Sequence, residues 1–182
     1  MGTKTSFRNE KLIIPLLISE VVGASDVLDM LESYFGKVDH RSDELPFDYT
    51  DYYSEEMGPK LRRIICSFEK LVDPATLPDI KESTNRIEGE HLVRTQRRVN
   101  LDPGLITLER LVLASTKDNG RRIPLRDGIY AEITLVYHHG EYHATEWTYP
   151  DYRSDSYLRE FEIIRTIYKQ QLKQQEDHAL YY

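Results

Sequence analysis

Cysteine is nearly missing from this chain. Its 182 residues contain one, Cys66, so no disulfide can form within the molecule, and a cysteine-based zinc site would need at least three more thiols or histidines. A lone thiol suits a reducing compartment, and a cytoplasmic location is the expectation. Long apolar runs are missing too. The longest, Leu12 to Ile18, is interrupted by Pro15 and falls far short of the roughly 20 residues a membrane span requires. The first residues lack a secretory pattern, although Met1 to Ser6 formally matches the short N-myristoylation motif. No membrane partner is expected.

Positive charge is in deficit. A formal net charge of −7 argues against general nucleic-acid binding, which concentrates cations against phosphates. The standard phosphate cradles are absent: there is no G-x-x-x-x-G-K-[ST], and no G-x-G-x-x-G opens a helix after a strand. Neither G-x-S-x-G nor H-E-x-x-H occurs, and Cys66 falls on the apolar side of an expected strand, so nucleophilic catalysis has no visible candidate. Thr116-Lys117-Asp118 is similar to the guanine-reading segment of GTPases, but without a phosphate loop it reads as a helix-ending turn.

What is present describes an ordinary core. Hydrophobic residues make up 40% and charged ones 30%, enough apolar surface to offset the ordering entropy of the chain. With no repeat or Gly/Ser linker, the reading is a single α+β domain over residues 1–182, with flexible tails at 1–10 and 175–182.

Lys11 to Ser19 has strand length, and Pro15 suggests an edge or a bulge. Val27, Leu28, Leu31, Tyr34 and Phe35 recur at helical spacing between a Ser25 cap and a Gly36 stop. A short strand and an acidic loop fill 37–58. Leu61 to Glu69 alternates, with Ile64, Cys66 and Phe68 opposite Arg63, Ser67 and Glu69, and only Ile65 out of pattern. Asp73-Pro74 opens a helix carrying Leu77, Ile80, Thr84 and Ile87. Val93 to Leu101 alternates again, followed by an Asp102-Pro103-Gly104 turn and a short helix capped by Thr107. Asp127-Gly128 and His139-Gly140 then mark two hairpins, making an antiparallel three-stranded meander over Ile123 to Trp147. A C-terminal helix starts at Ser154 or Asp155 and buries Leu158, Phe161, Ile164, Ile167, Tyr168 and Leu172. The order to residue 101 is βαββαβ, a ferredoxin-like start.

Four groups of residues could carry function. The loop from Pro46 to Gly58 packs carboxylates and tyrosines together, so Asp48 and Asp51 are candidate oxygen ligands for a divalent metal and Tyr49 and Tyr52 candidate ligand contacts. Arg94, Gln96, Arg98 and Asn100 line one strand face, where arginine's planar fork suits phosphate or carboxylate. Tyr130, Glu132 and Thr134 share a face of the hairpin strand, opposite Ile129, Ala131, Ile133 and Leu135. Tyr149 belongs to an aromatic knot, Trp147 to Ser154, that either stacks on a ligand or pins the last helix. His138, His139 and His143 could ligate a metal, but they flank a turn, where adjacent residues point to opposite faces, and read first as solvated side chains.

Several long segments carry a family resemblance: PFDYTDYYSEEMG at 46–58, SFEKLVDP at 67–74, RRVNLDPGLITLERLVLASTKD at 97–118, DGIYAEITL at 127–135 and WTYPDYRS at 147–154. In these the chain resembles the bacterial domain-of-unknown-function family 4416, DUF4416. The resemblance implies a small soluble bacterial protein, one often labelled GTP-binding, and brings no activity with it.

The first expectation for function is a binding module in which Arg98, Asn100 and Lys117 hold an anionic small molecule, such as a nucleotide or another phosphate compound, and Tyr49, Tyr52, Tyr130 or Tyr149 contact it. The second is a hydrolase or phosphotransfer enzyme in which Asp48, Asp51, Asp102 and Glu132 hold a divalent metal that activates water. The third is a structural or protein-interaction module.

Overall fold

The segment Glu10–Ser19 is buried along its whole length, and the reason is topological: it is the central strand of a sheet covered on both faces. The computed structural model describes residues 2–49, 53–58, 60–92 and 96–179. In chain order the elements are β1 (Glu10–Ser19), α1 (Ala24–Phe35), β2 (Val38–Arg41), β3 (Leu45–Pro46), α2 (Ser54–Met57), β4 (Leu61–Val72) and α3 (Leu77–Glu90). There follow β5 (Val99–Leu101), β6 (Gly104–Ile106), β7 (Arg110–Ser115), β8 (Ile123–Arg126), β9 (Ile129–His138), β10 (Glu141–Ala144) and α4 (Asp155–Ala179). No helix among the described residues is long and apolar enough to cross a membrane.

The sheet runs β10-β9-β7-β6-β1-β4-β2, with β5 also paired to β1, β3 to β4 and β8 to β9, and every pairing is antiparallel. The neighbours β5-β1-β4-β2 form the ferredoxin-like half, with α1 and α3 packed on one face through Leu28, Leu31, Ile80 and Ile87. On the other face α4 buries Tyr157, Phe161 and Ile164 against Ile13, Ile65 and Leu135. Ile65 therefore does not break a pattern. It serves a second core.

Several expectations are corrected by this arrangement. Pro15 sits mid-strand in the central strand rather than at an edge. In an antiparallel strand a residue's N–H and C=O point to the same side, and the Pro15 carbonyl accepts from Asp102 N at 3.0 Å. The missing N–H thus faces the junction of β5 and β6, where the ladder is already interrupted. Asp102-Pro103 is that junction and not a reversing turn. The short helix expected after Leu101 does not exist: β6 and β7 form a hairpin there, and Thr107 Oγ1 accepts from Glu109 N and Arg110 N, both at 3.1 Å, to close its turn. Thr116 and Lys117 accordingly follow a strand, not a helix. Helix α1 begins one residue before Ser25, with no side-chain cap, while Gly36 does end it at a φ of 90°. Helix α4 continues past Gln174 to Ala179.

Both hairpins form, with positive φ at Asp127 and Gly128 and again at His139 and Gly140. Strand β9 carries a register shift opposite Leu111 and Val112 that leaves Thr134 without a partner residue. Alternation reverses at that bulge. Leu135 joins the α4 core while Ile129 and Ala131 join the α1/α3 core, so the four apolar residues of β9 do not share one face.

Candidate functional site

The sheet forks beside β1. Strand β7 pairs with β6 and β9, whereas β5, which continues the line of β6, pairs with β1 alone. The outer edge of β5 would leave its backbone groups unpaired, a costly state when buried. Helix α3 supplies the partners instead: Leu101 N donates to Glu88 Oε1 at 2.7 Å, and Lys81 Nζ donates to Leu101 O at 2.9 Å. The space between the parted strands is a cleft of about 640 Å³, within the range typical of small-molecule sites.

A charged floor runs along the cleft. Arg63, on β4, is 2% exposed and donates to Asp102 Oδ2 at 2.9 Å, Asp151 Oδ2 at 3.2 Å and the Tyr157 hydroxyl at 3.2 Å. Asn100 Nδ2 donates to the other oxygen of Asp102 at 2.9 Å. Arg97 Nη1 in turn donates to Asn100 Oδ1 at 3.0 Å and to Glu88 Oε2 at 2.9 Å. One hydrogen-bonded chain, Glu88-Arg97-Asn100-Asp102-Arg63-Asp151, therefore ties α3, β5, β4 and the turn before α4 together.

The shared guanidinium splits the two carboxylates. Burial alone would raise the pKa of Asp102, but attraction to Arg63 and Lys81 and the hydrogen bonds from Arg63 and Asn100 hold it below the ordinary value. Asp151 is raised, chiefly by burial, with Arg63 pulling down and the Asp102 charge pushing up. Arg63 is held well above its usual value: burial opposes its charge, and Asp102, Tyr152, Tyr157 and Asp151 outweigh that.

The walls come from three loops. Phe47, Tyr49 and Tyr53 form an edge-to-face cluster, with the Tyr49 ring 6.2 Å from that of Tyr157. Tyr149 stands opposite on the 145–149 loop, which Arg153 staples by donating to the carbonyls of Thr145, Glu146 and Thr148 at 2.8–3.0 Å. Arg122 reaches in after β7, donating to Glu132 Oε2 at 2.9 Å, Ser115 Oγ at 2.7 Å and the Tyr149 hydroxyl at 3.1 Å.

Of the residues singled out from sequence, Tyr49, Asn100, Asp102, Lys117, Glu132 and Tyr149 line this one cleft. Asp48 is exposed outside it. Arg98 turns away, donating to Met57 O at 3.1 Å and Gln96 Oε1 at 2.7 Å, and Tyr130 is half-buried elsewhere on β9. Asp51 and Tyr52 lie outside the described residues, as does Arg94. The metal quartet is not assembled by the residues that are described: Asp102 is engaged by Arg63 and Glu132 by Arg122, and no group of three or more His, Cys, Asp or Glu side chains among the described residues is placed to hold a metal. Within the aromatic knot the two roles divide, Trp147 pinning itself to Ile133 O at 3.0 Å while Tyr149 faces the cleft.

Sequence reasoning missed Arg63, Arg97, Arg122, Glu88 and Asp151. Arg63 could be read only as one of the polar residues of β4, and nothing in the sequence marked it as buried. Much of the floor and walls comes from 46–58, 97–118 and 147–154, long stretches of family resemblance, while Arg63, Lys81, Glu88 and Arg122 lie outside them, and the profile of one family, described as a domain of unknown function, DUF4416, matches residues 8–168. The chain belongs to the DUF4416 family. No curated protein and no solved structure gives a match to it. The match spans the elements from β1 to most of α4, so cleft and sheet fork lie wholly inside the DUF4416 region.

Proposed function

We propose that the cleft binds a small molecule bearing an anionic group, a phosphate compound such as a nucleotide being the favoured class. The observation that carries this reading is the cation content of the walls. Arg63, Lys81, Arg97, Lys117 and Arg122 line the cleft against four carboxylates, Glu88, Asp102, Glu132 and Asp151, in a chain whose overall charge is −7. Glu56 adds a fifth carboxylate by accepting from Arg97 Nη2 at 2.9 Å, so what favours an anionic ligand is the number of guanidinium and ammonium donors gathered in one cleft rather than an excess of positive charge. The rings of Tyr49 and Tyr149 near its mouth offer faces for a flat or sugar-like portion. A metal-dependent hydrolase is less well supported, because the carboxylates inside are already neutralised by guanidinium groups.

Thermal unfolding in the presence of millimolar AMP, ribose 5-phosphate and inorganic phosphate tests the reading. Any phosphate compound that binds raises Tm with concentration, and Lys117→Ala reduces the effect. A Tm indifferent to all three compounds would refute it.

A further inference from the structure

The hydrogen-bond chain on the cleft floor leaves one accessible acceptor. The side chains of Arg63, Asp151 and Glu88 are sealed at 2%, 8% and 9% exposed, and of the two more open members Arg97, at 23%, can only donate, whereas Asp102, at 25%, accepts. An ionised carboxylate offers about four acceptor positions, and Arg63 and Asn100 take one on each oxygen. The remaining positions belong to a carboxylate fixed in orientation from both sides and partly open to the cleft. Preorganised polar groups of this kind give a site its specificity, because they need no reordering when a ligand arrives.

Asp102 asks for a hydrogen-bond donor, and its surroundings decide which. An ammonium group would bring another cation beside Arg63 and near Lys81, in a place where the Asp102 charge is already balanced. A hydroxyl donates without adding charge. We infer that the cleft selects phosphates that also carry hydroxyls, with Asp102 accepting from the ligand's hydroxyls while the phosphate lies toward Lys117 and Arg97. This inference rests on the anion-binding reading above and adds to it the second recognition element. Asp102 acts here as a specificity residue. The hydroxyls of a free sugar phosphate and of a nucleotide ribose present the same chemistry, and the probes below separate them.

The test compares four compounds by thermal shift on the full chain: ribose 5-phosphate and AMP, which carry both groups, and phenyl phosphate and inorganic phosphate, which lack hydroxyls on carbon. At about ten times its dissociation constant a ligand raises the Tm of a domain this size by about 3–6 °C. Ribose 5-phosphate or AMP is expected to reach that shift at concentrations at least tenfold lower than phenyl phosphate. A response to both places the selected feature in the sugar phosphate, and a response to AMP alone places it in the nucleoside. In Asp102→Asn, measured against its own unliganded Tm, the advantage disappears. Asp39→Asn, which breaks a buried pair with Lys11 outside the cleft, controls for lost stability and keeps the advantage. Equal shifts with phenyl phosphate and AMP in the wild type, or an advantage that survives in Asp102→Asn, overturn the inference while leaving anion binding intact. If none of the four compounds moves Tm, the anion-binding reading falls and this one with it. Should Asp102→Asn not fold, the wild-type comparison of AMP with phenyl phosphate decides alone.

Discussion

Arg63 places a permanent charge in the buried stretch of β4, and a buried guanidinium is tolerable only with carboxylates against it. Two are provided, and they are not equivalent. Asp102 sits below its ordinary value of 3.8 in the folded protein, so the stability it contributes is complete above that value and is lost as pH falls through the lowered pKa. Asp151 sits above 3.8, so its contribution is present below 3.8 and is lost as pH rises through the raised pKa. At neutral pH Asp102→Asn should cost about 3–5 kcal/mol, as expected for breaking a buried pair, and Asp151→Asn clearly less. Urea unfolding followed across pH 3–7 should show the Asp102→Asn deficit shrinking in acid and the Asp151→Asn deficit growing there. Parallel trends for the two variants would mean that Arg63 does not split them.

Among the elements, the β6–β7 hairpin carries the most demanding contact. Gly104 lies opposite Leu113, and a Cβ on it would meet Val112 O at 2.5 Å and Leu113 Cδ2 at 2.7 Å. The first of these is backbone, which cannot swing aside as a side-chain tip can. Gly104→Ala is therefore predicted to lower stability by about 1–3 kcal/mol through overpacking. It should also weaken any ligand response, since β6 and β7 bound the fork that opens the cleft. A variant as stable as the wild type in denaturant titration would show that the hairpin can part without cost. The same fork explains α3: its Lys81 and Glu88 leave the helix surface to bond the abandoned edge of β5, and in doing so become cleft walls.

At the level of the whole molecule, two cores share one sheet. Residues of β1 alternate between them, Leu12, Ile14 and Leu16 serving the α1/α3 side and Ile13 the α4 side. Loss of either layer exposes a face of the same strands, so the two cores should unfold together. Phe161→Ala, removing a fully buried ring of the α4 side, is predicted to cost about 3–5 kcal/mol. Trp147 fluorescence and far-ultraviolet circular dichroism should nevertheless give one coincident transition. Separate midpoints would show that α4 and its core form an independent unit.

What the amino-acid order determined by itself is local. The Asp127-Gly128 turn, the Gly36 stop, the Asp73-Pro74 turn that leads into α3 and the apolar spacing of α3 and α4 depend on backbone preferences within a few residues, and each is legible as such. The βαββαβ order was legible for the same reason. Tertiary structure decided the rest. Leu108, Leu111 and Val112 have helical spacing, yet they fold as a hairpin, because cross-strand pairing with β6 and β9 outweighs propensity over so short a stretch. The site divides in the same way. Tyr49, Asn100, Lys117, Glu132 and Tyr149 stood out as polar or aromatic residues in loops and on strand faces, whereas Arg63, Arg97 and Asp151 acquire their roles only through partners 3 to 94 positions away in the chain. Asp102, marked from sequence as a metal ligand, meets a guanidinium 39 positions earlier. A sequence can display a carboxylate, but the charge that answers it is chosen by the folding of distant strands onto one another.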